Sequence, residues 1–228
     1  MTENHLSEEE LETCKPSPAI NASHADSSDC LPYRIGLTGN IATGKSNVGQ
    51  LLKDLGAAYI DADKVAHEMM LPGATAYQAV VAHFGETVLA PDGSIDRRIL
   101  GAIVFSDPAA LRRLEQLVHP ATIAEVEHLI QVSGAAVVVV EAIKLLESGM
   151  AETYDAIWVT TCTEEEQVHR LENSRGLSRT EALRRIHAQP PQAEKLARAD
   201  VIIDTSGTKA ETRAQVLVAW EEIPHCDS

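Results

Sequence analysis

Apolar and polar positions along the chain fall into two textures. Short aliphatic or β-branched runs at Tyr33–Thr38 (YRIGLT), Ala57–Ile60 ending at Asp61, Ala135–Glu141 (AAVVVVE), Ala156–Thr161 (AIWVTT) and Val201–Asp204 (VIID) read as five strands. The run of four valines has no polar alternation, which is the pattern of a strand buried on both faces. Between the runs lie segments of helical spacing. Val48, Leu51, Leu52 and Leu55 share one helix face, and Gly56 stands at its C-terminal end. Strands alternating with helices predict an α/β fold with a five-stranded parallel sheet flanked by helices.

Two intervals are longer than a crossover needs. Residues 62–134 read as mostly helical: a helix after Asp63, a turn at Pro72-Gly73, a helix to Phe84-Gly85, a Pro-Asp-Gly turn at 91–93, and a helix with Asp107 as N-cap and Pro108 at its first position. Residues 163–198 carry Arg170, Arg175, Arg179, Arg184 and Arg185. Several glutamates nearly balance them, so each arginine is either a ligand-facing cation or part of a solvated helix face. Residues 1–32 hold seven acids against the single Lys15, with little apolar periodicity, and are expected to be a disordered acidic tail.

Composition narrows the function classes. The 228 residues, 44% of them hydrophobic, suffice for a substantial core. With 34 acids against 19 Lys and Arg the formal charge is -15, so sequence-independent binding to nucleic acid or to an anionic membrane is not expected. The longest apolar run, Ala135–Val140, is far below the roughly 20 residues of a membrane span. The N-terminus lacks the basic start and apolar core of a secretory signal, and a cytoplasmic location is expected. Four scattered cysteines (Cys14, Cys30, Cys162, Cys226) suggest reduced thiols rather than a metal site or disulfide scaffold.

Gly39-Asn40-Ile41-Ala42-Thr43-Gly44-Lys45-Ser46 carries the chemistry: it matches G-x-x-x-x-G-K-[ST], between a predicted strand and a predicted helix. Backbone N–H groups of such a loop form an anion nest at a helix N-terminus. Lys45 would neutralise the β- and γ-phosphates of ATP, and the Ser46 hydroxyl would ligate Mg²⁺. A guanine-reading N-K-x-D is absent, and a mobile arginine-bearing segment at 163–198 would exclude water from phosphoryl transfer, which favours a small-molecule kinase. Asp61 and Asp63 follow the second strand at the sheet edge where α/β folds place ligands. Asp63 is either a base for an attacking hydroxyl or the cap of the next helix. Glu141, closing the valine run, is either a strand-end acid holding Mg²⁺ through water or a loop residue.

Several further motifs recur in register: IGLTGNIATGKS, YIDADKVAHE, FGETVLAPDGSIDRRILGAIVF, LVHPA, EAIKLLESG, QVHRL with GLSRTEALRRIHAQ, and ADVIID. Over nearly all of 33–223 the chain resembles the dephospho-CoA kinase family of P-loop kinases. The resemblance implies a P-loop NTPase fold with a helical CoA-binding insertion at about 64–133, a lid at about 163–198 and a short tail at 224–228. It implies Mg²⁺-dependent transfer of the ATP γ-phosphate to the ribose 3'-hydroxyl of dephospho-CoA. By position, Asp63 becomes the base with Asp61 beside it, Arg170 a lid arginine of catalysis, and Arg97 and His119 substrate contacts. Read alone, His119-Pro120 would be a helix break before proline. A monomer or weak homo-oligomer is expected. Nucleoside or nucleotide monophosphate kinases, and a non-catalytic ATP-binding sensor, are the alternatives.

The pattern departs from its relatives in three places. Asn40 and Ala42 stand in the loop where many relatives have glycine, Ile143-Lys144-Leu145-Leu146-Glu147 stands where a P-L-L-F-E run is often seen, which introduces the charge of Lys144, and Ser174 holds the place of a second lid arginine, with Arg175 next door.

Overall fold

The structure, a computed structural model, describes residues 31–147 and 150–224. The expected disordered tail at 1–32 therefore falls almost wholly outside the described residues, as do Cys14, Cys30 and Cys226 and most of 224–228. In chain order the elements are β1 (Tyr33–Thr38), α1 (Lys45–Asp54), β2 (Ala58–Asp61), α2 (Ala62–Glu68), α3 (Tyr77–Phe84), α4 (Arg97–Ser106), α5 (Pro108–Val132) and β3 (Val137–Glu141). β4 (Ala156–Thr161), α6 (Glu164–Arg175), α7 (Arg179–His187), α8 (Gln192–Leu196), β5 (Val201–Asp204) and α9 (Lys209–Glu221) follow.

All five strands are parallel, in the order β2-β3-β1-β4-β5. The first strand in sequence is thus central, and the loop leaving its C-terminal end opens at the middle of the sheet, where the connections diverge to either side. The valine run explains how β3 can lie next to it. Val137 and Val139 face a core built with Ile35, Leu37, Val48, Leu52, Trp158 and Val216. Val138 and Val140 face a second core with Ile60, Val65, Val126, Ile130 and Val159. A period of two with both faces apolar leaves the strand stable only between two helical layers.

The two long intervals each bury a core of their own. Val80, Val88, Leu100, Val104 and Val118 close the α3–α5 insertion, and Val168, Leu171, Ala182 and Ile186 close α6 against α7. Asp107 caps α5 through the Ala109 N–H, with Pro108 in the first turn, as its sequence signature predicts. Two sequence readings are corrected. The cap of α2 is Asp61, which accepts from the Lys64 N–H, so Asp63 lies inside the first turn with its carboxylate free for other work. The predicted break at His119-Pro120 does not occur: α5 runs through Pro120. Pro120 is exposed, so the carbonyl it deprives of a helical partner can turn to water.

Candidate active site

The phosphate loop owes its shape to three residues that leave the usual backbone regions. A Cβ on Gly39 would stand 2.5 Å from Thr160 Oγ1 and 2.6 Å from the Thr160 carbonyl, so only glycine fits against β4. Gly44, at φ 88, is the N-cap of α1 and offers no side chain, leaving the helix's first N–H groups for an anion. Ala42, at φ 59, is the single described non-glycine residue in the left-handed region. That conformation costs a residue with a Cβ about 1–2 kcal/mol, and the loop holds it by packing and hydrogen bonds.

Those hydrogen bonds come largely from far along the chain. Thr43 Oγ1 donates to the Asn40 carbonyl at 2.8 Å, and Thr205 Oγ1 to the Thr43 carbonyl at 2.9 Å. Gln167 Nε2 donates to the Ile41 carbonyl at 2.7 Å, while Gln189 Oε1 accepts the Ile41 N–H at 2.7 Å. Gln192 Oε1 accepts the Asn40 N–H at 3.1 Å, and its Nε2 donates to the Thr160 carbonyl at 2.8 Å. Asn40 Nδ2 donates to the Pro190 carbonyl at 3.0 Å. No local sequence pattern marks these glutamines for such contacts.

Lys45 is buried and donates to the carbonyls of Gly39 at 2.9 Å and Asn40 at 3.1 Å. Burial pulls its pKa below the usual lysine value, against the nearby charges of Glu141 and Asp63. Ser46, in the first turn of α1, is exposed beside it. Across the sheet edge, Asp61 ends β2 in register with Glu141 at the end of β3. Glu141 is buried and accepts a hydrogen bond from Tyr59 Oη; burial holds its pKa above the normal carboxylate range. Asp63 is raised too, by burial of its carboxyl and then by the charge of Asp61, although the backbone at Ile143 and the charges of Lys45 and Lys144 favour its anion. Three acids and one lysine therefore share a single field at the carboxyl edge.

The remaining candidates spread outward from that cluster. The insertion places Arg97 at the first position of α4, exposed, close enough to depress the His67 pKa after burial of that imidazole. His119 is half-buried in the middle of α5, which packs on α2 and α4. Arg170 bends back to the loop: its guanidinium donates to the Ala42 carbonyl at 3.1 Å, Thr205 Oγ1 at 2.9 Å and the Thr205 carbonyl at 2.5 Å. Its neighbours divide as charge balance alone could not tell. Arg179 pairs with Glu165, and Arg184 and Arg185 with Glu181, all at the surface. Arg175 is near enough to lower the Lys45 pKa, while Ser174 Oγ is taken by the Arg170 carbonyl. Lys144 pairs with Glu115 of α5. Beside the loop, Gly44, Asn47, Arg170, Thr205, Gly207 and Lys209 border a cleft of about 330 Å³.

A parallel sheet carrying a phosphate loop after its central strand, with acids at the same edge and an arginine-bearing helical segment over it, is the architecture of a P-loop kinase. At the level of fold alone it matches shikimate kinase from Bacteroides thetaiotaomicron, with TM-score 0.51 and 17% identity over 83% of this chain and 96% of that one. Sequence comparison goes further. The dephospho-CoA kinase family profile matches residues 33–211. The chain is 46% identical to the dephospho-CoA kinase of Geobacter sulfurreducens over 189 residues, 82% of this chain and 96% of that protein. That of Geobacter metallireducens is 46% identical over 195 residues, 82% and 95% of the two chains. The solved dephospho-CoA kinase of Campylobacter jejuni superposes with TM-score 0.62 at 30% identity, over 83% of this chain and 96% of that one. The chain belongs to the dephospho-CoA kinase family and is an ATP-dependent kinase. The nucleoside or nucleotide kinase and non-catalytic sensor alternatives give way to this family.

Proposed function

We propose that the chain transfers the ATP γ-phosphoryl group to the ribose 3'-hydroxyl of dephospho-CoA, with Asp63 as the base. The observation that carries this reading is the position of Asp63. Released from capping by Asp61, its carboxylate lies in the same field as Lys45. A base beside the phosphate-loop lysine faces the bond that forms, and a pKa raised by burial and Asp61 brings it closer to working pH.

Each remaining side chain has a role that its placement supports. The adenosine end of ATP fits the cleft bordered by Arg170 and Gly207, and the triphosphate lies on the N–H groups from Asn40 to Ser46. Lys45 exchanges its carbonyl partners for phosphate oxygens. The α6–α8 segment acts as the lid, with Arg170 and Arg175 adding positive charge around the transferred group. Dephospho-CoA approaches over Asp61 and Asp63 along the α2–α5 insertion, where Arg97 and His119 offer donors to its phosphates.

The donor set fits Mg²⁺ of the kind held mainly by substrate phosphates and water: Ser46 supplies one hydroxyl, Glu141 a buried carboxylate, and no cluster of three or more acidic, histidine or cysteine ligands forms a dedicated cage among the described residues. Bound there, the ion would neutralise charge on the β- and γ-phosphates. A coupled assay with ATP and dephospho-CoA, with and without Mg²⁺, tests substrate and ion together. Asp63→Asn is expected to keep ATP binding and lose about 10²–10⁴ in turnover. Turnover at the parent rate in that variant overturns the base assignment.

A further inference from the structure

In a trans peptide the carbonyl and the N–H of the next residue point to opposite sides, so a donor that holds a carbonyl also aims the N–H behind it. From Gly39 to Thr43 every carbonyl of the phosphate loop accepts from a side chain: Gly39 and Asn40 from Lys45, Ile41 from Gln167, Ala42 from Arg170 and Thr43 from Thr205. Some of these peptide planes are held at the N–H as well. Gln192 accepts from Asn40 at 3.1 Å, Gln189 from Ile41 at 2.7 Å, and the Asn40 carbonyl from Thr43 at 3.4 Å. Gln192 is itself anchored, because α8 also carries the buried Lys195, whose Nζ donates to the Ile143 carbonyl and to Glu147 Oε1, each at 2.9 Å. The N–H groups of Ala42 and Gly44 have no protein partner among the described residues. They are the donors such a loop offers to an anion.

Of the two planes held by their carbonyl alone, one has a reason to turn. Gly44, at φ 88, is glycine and unstrained there. Ala42, at φ 59, carries a Cβ in the left-handed region. Rotation of the Ile41–Ala42 plane would take φ of Ala42 out of that region and relieve the strain. The same rotation would swing the Ile41 carbonyl oxygen to the side the Ala42 N–H now occupies, setting a partial negative charge against a phosphate. The side chain that opposes it is Gln167 of α6, 7% exposed, whose Nε2 donates to the Ile41 carbonyl at 2.7 Å.

We propose that Gln167 is a positioning residue for ATP: it keeps the Ile41–Ala42 peptide from turning and so keeps the Ala42 N–H available to the triphosphate, a support this chain needs because alanine stands at position 42. The proposal rests on the triphosphate lying on this loop, and the experiment separates the two. Kd for ATP is measured by calorimetry for the parent and for Gln167→Met, each with Ala42 and with Ala42→Gly. With Ala42 in place, Gln167→Met is expected to weaken ATP about tenfold, the ratio that relief of one left-handed alanine supports. In the Ala42→Gly background the same replacement is expected to cost less than about threefold, since glycine has no strain to relieve and the plane has no drive to turn. Gln167→Glu, which keeps the shape but at neutral pH accepts and cannot donate, carries the comparison if Gln167→Met does not fold; its charge acts in both backgrounds, so their ratio still reads the strain. Parent Kd in the Gln167 variants, or an equal fold-loss with Ala42 and with glycine, overturns the proposal. Parent Kd in Lys45→Ala overturns the placing of ATP on the loop, whatever the Gln167 variants do.

Discussion

Asp61 and Asp63 are two residues apart and identical in type, yet the fold gives them different work. Asp61, the last residue of β2, becomes the helix cap, and Asp63, in the first turn of α2, lies in the field of Asp61, Lys45 and Lys144. The sign of their coupling can be tested. As the proposed base, Asp63 must be ionised to accept a proton, so activity is expected to rise as pH passes upward through its folded pKa. Burial holds that pKa up and the Asp61 charge adds to it. Asp61→Asn keeps an oxygen to cap Lys64 and removes the charge, so the Asp63 pKa falls and the acid limb of kcat/KM moves to lower pH. A limb that stays in place or moves up refutes the coupling. Ala42 shows a second residue-level point: a loop tolerates a non-glycine in the left-handed region when Gln167, Arg170 and Thr205 hold the flanking carbonyls.

Packing of α1 against β2 depends on Gly49. A Cβ there would lie 2.3 Å from Tyr59 Cε2, and Tyr59 cannot withdraw without giving up its hydrogen bond to Glu141. Glycine inside a helix normally costs about 1 kcal/mol relative to alanine, so its presence here reflects close approach rather than helix preference. Gly49→Ala should therefore destabilise the protein by about 1–3 kcal/mol in urea unfolding. Gly101 in α4 is the control. Its added Cβ would meet nothing nearer than 3.6 Å, and Gly101→Ala should be neutral or stabilising by up to about 1 kcal/mol. Equal effects at the two sites would remove the steric account. α4 itself was not separately visible in the pattern, although Asp96 caps it and Leu100 and Val104 form its buried stripe. Its apolar face meets the insertion's own small core, not the sheet.

Across the whole molecule, β1, β4, β5 and the α6–α8 segment converge on one loop, so ATP bound there should stabilise the whole fold by linkage. At a free concentration 100 times Kd the linkage is about 2.7 kcal/mol, equivalent to a rise in Tm of roughly 5–10 °C for a domain of this size. Lys45→Ala should lose most of that shift while keeping the parent Tm within a few degrees without ATP. An undiminished shift would mean that the nucleotide binds elsewhere. No helix among the described residues is long and apolar enough to cross a membrane.

The sequence by itself determined the strands, the alternation with helices, the phosphate loop and the acids after β2 and β3. Each of these rests on local periodicity or on residues within one motif, and short-range stereochemistry is written in neighbouring residues. The tertiary structure alone decided the strand order, which of Asp61 and Asp63 caps α2, the passage of α5 through Pro120, and which arginine of residues 163–198 reaches the loop. It also decided the grip of Gln167, Gln189, Gln192 and Lys195. The glutamine contacts to the loop join residues 126, 148 and 152 positions apart, and a glutamine or lysine in an exposed-looking helix has no local pattern that announces such a partner. Only packing of the α6–α8 segment on the sheet edge turns ordinary polar side chains into the supports of a site.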